Sequence, residues 1–156
     1  MEPKTGRMHP SGKVFLACGF WLIALGLYFI FLRPALLPED PTFIGSSLEA
    51  IRTAMPGLER WLGHVFKVMG GFMIAAGTVT MLLAWRFISR REPGTFATLL
   101  VAGSASVALM SATNFLLHSN FRWLLLLPAV LWFVGLLCYV RENATPGIGV
   151  HLDGET

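Results

Sequence analysis

Four long stretches of apolar residues, separated by short polar segments, dominate the chain. They cover residues 14–32, 65–88, 95–117 and 123–140. The first stretch, Val14 to Leu32, contains no charged residue. As a helix rising ~1.5 Å per residue it is about 28 Å long, close to the ~30 Å hydrocarbon thickness of a bilayer. The pattern predicts an all-α fold, a membrane four-helix bundle that occupies residues 14–141.

Polar segments lie at both ends of the chain and between the first two apolar stretches. Residues 1–13 and 142–156 lack a periodic apolar pattern, and we expect them to be disordered tails. Residues 33–64 form a connector between spans 1 and 2. Pro34, Pro38 and Pro41 prevent the first helix from continuing into it, because proline lacks the backbone N–H and disfavours helical geometry in the residue before it.

The connector contains the pattern of one short amphipathic helix. Ser46, followed three residues later by Glu49, is a capping box that predicts a helix start. Leu48, Ile51 and Met55 then place apolar side chains on one face of the segment. We expect an interfacial helix of about ten residues between spans 1 and 2, lying in the headgroup layer.

Small residues recur on the second and third spans. Gly71, Ala75 and Thr78 form a strip on the second span, and Ser104, Ala108 and Ala112 repeat every four residues on the third. Small side chains let helices approach closely in lipid. These faces predict tight helix packing, within the chain or with a partner, and place the third span at the centre of the bundle.

The composition agrees with a membrane protein. Hydrophobic residues make up 54% of the chain and charged residues 13%, with a net charge of +3. The basic residues lie at the ends of the apolar stretches rather than in one patch, which argues against nucleic-acid binding. A cleaved signal peptide is the alternative for the first stretch. Arg33 and Pro34 stand where small residues would mark a cleavage site, so we expect a retained span.

The distribution of lysine and arginine predicts the orientation, because basic residues are enriched on the cytoplasmic side. With the N-terminus inside, the inner side would hold Lys4, Arg7, Lys13, Arg86, Arg90, Arg91 and Arg141, and the outer side Arg33, Arg52, Arg60, Lys67 and Arg122. The inner side is the richer one. The pattern predicts a multi-pass protein of the bacterial inner membrane, with both termini cytoplasmic and the connector as a periplasmic lid.

The two cysteines, Cys18 and Cys138, fall near the inner ends of spans 1 and 4. In a reducing compartment we expect them to act as small apolar packing residues. With the inverted topology a disulfide between them would be permitted.

Six polar residues would meet at the outer ends of spans 2 and 3. The second span enters from the outside and the third returns to it, so polar side chains near both ends share one depth. The connector begins and ends there and can fold over them. Polar groups at membrane depth are costly, which makes them a candidate ligand-binding site. The six residues are His64, Lys67, Asn114, His118, Glu39 and Asp40.

Three interpretations of these residues remain open. The histidines are interfacial and the acids pair with Arg60 and Lys67 to hold the connector; a small anionic or polar ligand binds under the connector; or a metal or haem binds at His64 and His118. The sequence contains no HxxxH, HExxH or CxxCH spacing, so we predict no metal ligands. It also lacks GxSxG, Walker and paired intramembrane carboxylate motifs, so we predict no catalytic residues.

Two segments carry a resemblance to a known group of proteins. They are LRPALLPEDPTFIG at residues 32–45 and GHVFKVMGGFMIAAG at residues 63–77, followed by an arginine-rich turn and two further spans. Together they resemble small bacterial four-span membrane proteins, DoxX-like in broad architecture. The resemblance implies a four-helix membrane fold. DoxX is associated with quinone-linked sulfur oxidation, but no cofactor-binding residue of this chain matches, so the activity is not carried over.

The sequence therefore favours a non-enzymatic role. We expect an accessory subunit or a binder of a small apolar or amphipathic molecule, without a cofactor. Its partners would be the lipid bilayer and a membrane protein or a second copy of the chain. The alternative is a membrane oxidoreductase component that binds quinone or haem near the outer ends of spans 2 and 3.

Overall fold

The structure, a computed structural model, describes residues 8–88 and 90–144, and these residues form helices and no strand. Within the described part, four stretches are long and apolar enough to cross a membrane. We call them span 1 (Pro10–Phe31), span 2 (Leu58–Ile88), span 3 (Thr95–Leu116) and span 4 (Arg122–Ala144). The prediction of an all-α four-helix bundle is confirmed, and the chain has the architecture of a multi-pass membrane protein.

Several helices make up these spans and the connector. Span 1 is helix α1, and the connector holds α2 (Glu39–Ile44) and α3 (Leu48–Ala54). Span 2 is α4 (Leu58–Leu83) followed by a π-helical segment, Ala84–Ile88. Span 3 is α5 (Thr95–Gly103), a second π-helical segment (Ser104–Ala108) and α6 (Leu109–Leu116), and span 4 is α7.

The outer spans extend further than the apolar pattern indicated. Helix α1 begins at Pro10, where a missing N–H costs nothing, and α7 continues to Ala144. Residues 10–13 and 142–144, assigned to tails by sequence, are therefore helical. Met8 and His9 precede the helix, and the remaining tail residues, 1–7 and 145–156, lie outside the described residues.

The packing of the spans does not follow their order in the chain. Span 1 packs along span 2 and also against span 4, and span 4 packs against span 3. The spans therefore lie in the order 2, 1, 4, 3, and spans 2 and 3 share no comparable interface among the described residues. The prediction that span 3 lies at the centre of the bundle is wrong, because spans 1 and 4 occupy the middle positions.

Glycines set the close approach of spans 1 and 2. A Cβ at Gly77 would lie 2.5 Å from the carbonyl oxygen of Gly19, and one at Gly19 would lie 2.8 Å from the carbonyl oxygen of Gly77. Gly26 and Gly70 make the same reciprocal contact one interval further along. Both helices carry their glycines seven residues apart, so the two contacts match in antiparallel register. In lipid the hydrophobic effect does not drive helices together, so close van der Waals contact between the two backbones stabilises this pair instead.

An indole ring joins spans 1, 3 and 4. Trp132 donates its Nε1–H to the carbonyl oxygen of Leu99 at 2.9 Å, and both residues are buried. Its ring meets Phe15 of span 1 edge to face, with centroids 5.2 Å apart. A Cβ at Gly103 would overlap the indole, so this glycine makes the notch that admits it. Cys18 packs in the same core as a free thiol, while Cys138 is half-buried and also free.

The small residues that the sequence assigned to packing faces are exposed in the bundle. Gly71, Ala75 and Thr78 are exposed, and so are Ser104, Ala108 and Ala112. A second row on span 3, also spaced by four, is buried instead: Thr95, Leu99, Gly103, Val107 and Ser111. That row carries the larger apolar side chains and the glycine notch, so it fits against span 4.

Hydrogen bonds join the spans at the end of the bundle that carries residues 8 and 144, which we call the terminal end. The backbone N–H and hydroxyl of Ser11 donate to the two carboxylate oxygens of Glu142 at 2.9 and 2.6 Å. Arg91, after span 2, donates to Oδ1 of Asn143 at 2.6 Å. Ser11 lies in the first turn of α1, where backbone N–H groups lack helical acceptors, so Glu142 caps α1 from another helix.

Candidate functional site

The candidate site lies at the opposite end of the bundle, which we call the connector end. Here the connector meets the turn of residues 117–121 between spans 3 and 4. Short-range hydrogen bonds fold the connector. Asp40 accepts a bond from the N–H of Leu37 at 2.7 Å, and Gly45 ends α2 with a φ of +76°, which glycine adopts without strain.

The connector contains two short helices where the sequence indicated one. Ser47 rather than Ser46 begins α3, because its Oγ accepts the N–H of Ala50 at 3.1 Å. The predicted capping box was therefore wrong, and α3 has seven residues. Of its expected lipid-facing side chains, Ile51 is buried in the protein and Met55 is exposed.

Arg33 is the basic residue of the site. Its guanidinium lies 3.5 Å from the ring centroid of Phe66 on span 2 and 5.2 Å from that of Phe29 on span 1. Burial lowers the pKa of this guanidinium, while the nearby charges, chiefly that of Asp40, raise it. An arginine stays protonated at neutral pH under such shifts, so the two rings hold a half-buried cation.

Glu39 fastens the connector to the turn between spans 3 and 4. Its Oε1 accepts the hydroxyl of Ser119 at 3.0 Å and the N–H of Asn120 at 3.3 Å. Ser119 is buried, and its Oγ also accepts the N–H of Phe121 at 3.2 Å. The second carboxylate oxygen of Glu39 is buried without a donor. The connector is thus held at its α2 end by one carboxylate and the buried hydroxyl of a residue 80 positions later.

The structure gathers two of the six predicted site residues. Glu39 reaches the turn between spans 3 and 4, and the charge of Asp40 acts on Arg33. Asn114 donates to the carbonyl oxygen of Met110 in its own helix at 2.9 Å.

The side chains of His64, Lys67 and His118 are exposed and, in residues 8–88 and 90–144, make no hydrogen bond or ion pair with the other three. Spans 2 and 3 share no comparable interface among the described residues, so hydrogen bonds and ion pairs do not join these six residues into one cluster there.

The expected pairing of the acids with Arg60 or Lys67 is also absent from the described residues. Instead, Nε of Arg52 on α3 pairs with Oε1 of Glu59 on α4 at 2.9 Å. This pair is largely exposed, so it contributes about 1 kcal/mol or less to stability. Glu39 instead accepts hydrogen bonds from the turn between spans 3 and 4, and the charge of Asp40 favours the protonated form of Arg33.

Sequence reasoning missed Arg33, Phe66 and Ser119 as members of the site. One local signal was available, since Phe29 precedes Arg33 by four residues and i, i+4 side chains meet on a helix. Phe66 and Ser119 come from distant parts of the chain, and no spacing pattern points to them. Phe66 and Ser119 reach the connector only because of the way the spans pack around it.

The arrangement holds the connector in place and offers no metal centre. Within the described residues no group of three or more His, Cys, Asp and Glu side chains could hold a metal ion. Two depressions lie on the connector. The more enclosed one is bordered by Leu36, Leu37, Pro38, Pro41, Thr42, Ser46, Ser47 and Leu48.

Comparison with known proteins provides no relative. No protein-family model matches this chain, and no curated protein or solved structure shows significant similarity to it. Function must therefore be argued from the contacts described above.

Proposed function

We propose that this protein is a non-enzymatic accessory subunit of the bacterial inner membrane, with both termini in the cytoplasm. The observation that carries the proposal is the close contact between the spans. Spans 1 and 2 touch through glycine backbone, and Trp132 fills the notch between spans 3 and 4. A close-packed interior favours a structural or assembly role over one that needs an internal substrate site.

The outward surface supports an assembly role. Spans 2 and 3 occupy the two ends of the helix order and turn small residues outward. Such residues let a neighbouring helix approach closely, whereas lipid chains need no such shape. Ala108, in the middle of span 3, is the central position of its exposed row. We therefore expect a membrane-protein partner or a second copy of the chain to bind there.

Photo-crosslinking in native membranes tests the proposal. A benzophenone amino acid at Ala108 should yield one discrete protein adduct. The matched control is the same group at Phe20, which is exposed on span 1. Mass spectrometry of the adduct separates a second copy of this chain from a different membrane protein. If Ala108 gives no protein adduct, or no more than Phe20 gives, the assembly role is wrong.

The orientation has its own test. Single cysteines at Ser47 in the connector and Glu92 in the turn after span 2 are both exposed and lie at opposite ends of the bundle. A membrane-impermeant maleimide added to the periplasmic side should label Ser47→Cys and leave Glu92→Cys unlabelled. The reverse pattern would invert the proposed topology and bring Cys18 and Cys138 into an oxidising compartment.

The redox alternative places quinone or haem between the connector ends of spans 2 and 3. His64 and His118 are exposed there, and their spans share no comparable interface. The accessory role is therefore better supported. A purified sample with a Soret or flavin band, or with quinone in its organic extract, would favour the oxidoreductase component. A colourless sample without extractable quinone favours the accessory subunit.

A further inference from the structure

The connector carries a pair of apolar side chains that the protein does not cover. Phe43 and Ile44, adjacent at the end of α2, are 61% and 57% exposed. Elsewhere on α2, Pro41 is buried in the protein. Phe43 and Ile44 form an adjacent pair of large apolar side chains, and contact with water would be unfavourable for both. The question is therefore what surrounds them.

Contacts within the protein fix the depth of α2. Glu39, its first residue, bonds to Ser119 and to the backbone of Asn120. Span 4 begins two residues after Asn120, and Trp123 follows with 65% of its surface exposed. An exposed tryptophan at the start of a span marks the headgroup layer. Helix α2 is therefore held beside that layer rather than projected away from it.

The connector end of the bundle carries other exposed aromatic side chains. Phe31 ends span 1, Trp61 lies in the first turn of span 2, and Phe121 precedes span 4. Together with Trp123 they form an aromatic belt at the connector end. Phe43 and Ile44 are the exposed large apolar side chains of α2, while the exposed side chains of α3 include the polar Glu49, Arg52 and Thr53.

We infer that α2 is a membrane anchor, whose Phe43 and Ile44 insert into the headgroup–acyl boundary of the adjacent leaflet. The occupant of this apolar pair is lipid, because Glu39 bonds α2 to the turn that leads into span 4, where the exposed Trp123 marks the headgroup layer. The connector is then held at two points, by Glu39 on the protein and by Phe43 and Ile44 in the membrane. This inference does not depend on the accessory role.

Spin-label accessibility tests the inference in the full-length protein. A nitroxide is attached to cysteines placed singly at Phe43, Ile44 and Thr53, in nanodiscs of palmitoyl-oleoyl phosphatidylcholine. Only Cys138 is replaced by alanine, since Cys18 is fully buried. Collisions with oxygen, which concentrates in hydrocarbon, are compared with collisions with a water-soluble nickel chelate. The ratio of the oxygen collision rate to the nickel collision rate should be several-fold higher at Phe43 and Ile44 than at Thr53.

Two outcomes would overturn the inference. A ratio at Phe43 equal to that at Thr53 would place α2 in water. Protection of Phe43 from both agents would show that protein covers it. A second readout does not require labelling: Ile44→Asp should speed hydrogen exchange of the α2 amides several-fold in the same nanodiscs, and Thr53→Asp should not. Equal exchange in the two variants would also overturn the inference.

Discussion

Gly26 and Gly70 face each other so closely that a Cβ on either would lie 2.6 Å from the carbonyl oxygen of the other. The contact is reciprocal, and Gly19 and Gly77 repeat it seven residues away. Spans 1 and 2 therefore meet backbone to backbone at two points, and these points define the register of the helix pair with the most extensive contact among the described residues.

Gly70→Val should separate spans 1 and 2. The added side chain must displace the backbone of Gly26 as well as the side chain of Ile30, so we expect a loss of about 1–3 kcal/mol in the free energy of unfolding. The measurement is reversible unfolding in mixed micelles with increasing SDS. Gly71→Val is the matched control, because a Cβ there meets nothing within 4 Å. Equal losses in the two variants would contradict the close contact.

Trp132→Phe should weaken the junction of spans 1, 3 and 4. It removes the hydrogen bond to the carbonyl oxygen of Leu99 and leaves unfilled space at Gly103. We expect a loss of about 1–3 kcal/mol, combining a lost hydrogen bond with a small cavity. The same unfolding assay compares it with Trp123→Phe, whose indole is exposed. A larger effect at Trp123 would show that the junction is misplaced.

Glu39→Gln should loosen the connector. The amide keeps the size of the side chain but accepts more weakly from Ser119 and Asn120, since charge-assisted hydrogen bonds are about twice as strong as neutral ones. Limited proteolysis should cleave residues 33–57 several-fold faster. Lys67→Leu, which sequence reasoning would have chosen, is the control, because Lys67 is exposed and bonds neither acid. Faster cleavage in Lys67→Leu than in Glu39→Gln would refute this attachment.

Glu142→Ala should destabilise the first turn of α1. The carboxylate accepts both the N–H and the hydroxyl of Ser11, so its loss resembles the removal of a helix N-cap, about 0.5–2 kcal/mol. Hydrogen exchange at the amides of residues 11–14 should report the change locally. Glu92→Ala removes an exposed acid at the same end of the bundle and should leave these amides unaffected. Unchanged exchange in Glu142→Ala would show that the cap contributes nothing.

The membrane-spanning helices could be predicted because their signal is local. A run such as residues 14–32 is long enough to cross a bilayer, and its backbone groups can be satisfied only within the helix. Glu39 and Asp40 also stand out in the sequence as the acids of a proline-rich connector, and their role in ligand binding stays a prediction. The choice of Lys67 as their partner failed, since it assumed that charge alone brings residues together.

Which face of each helix is buried could not be predicted. Span 2 offers Gly71, Ala75 and Thr78 on one side and Gly70 and Gly77 on another, and both sets are small. Only the pairing of Gly70 with Gly26 and of Gly77 with Gly19 distinguishes them. The glycines of a single span contain no information about the spacing on its partner.

The amino-acid sequence alone determined the number of spans, the connector between the first two and the acids within it, because hydrophobic length and proline positions act over a few residues. The tertiary structure decided that the spans lie in the order 2, 1, 4, 3, that Arg33 rests between Phe29 and Phe66, and that Glu39 reaches Ser119. These contacts join distant parts of the chain. They depend on how the glycines and Trp132 let the spans interlock, which is a property of pairs of helices rather than of any one segment.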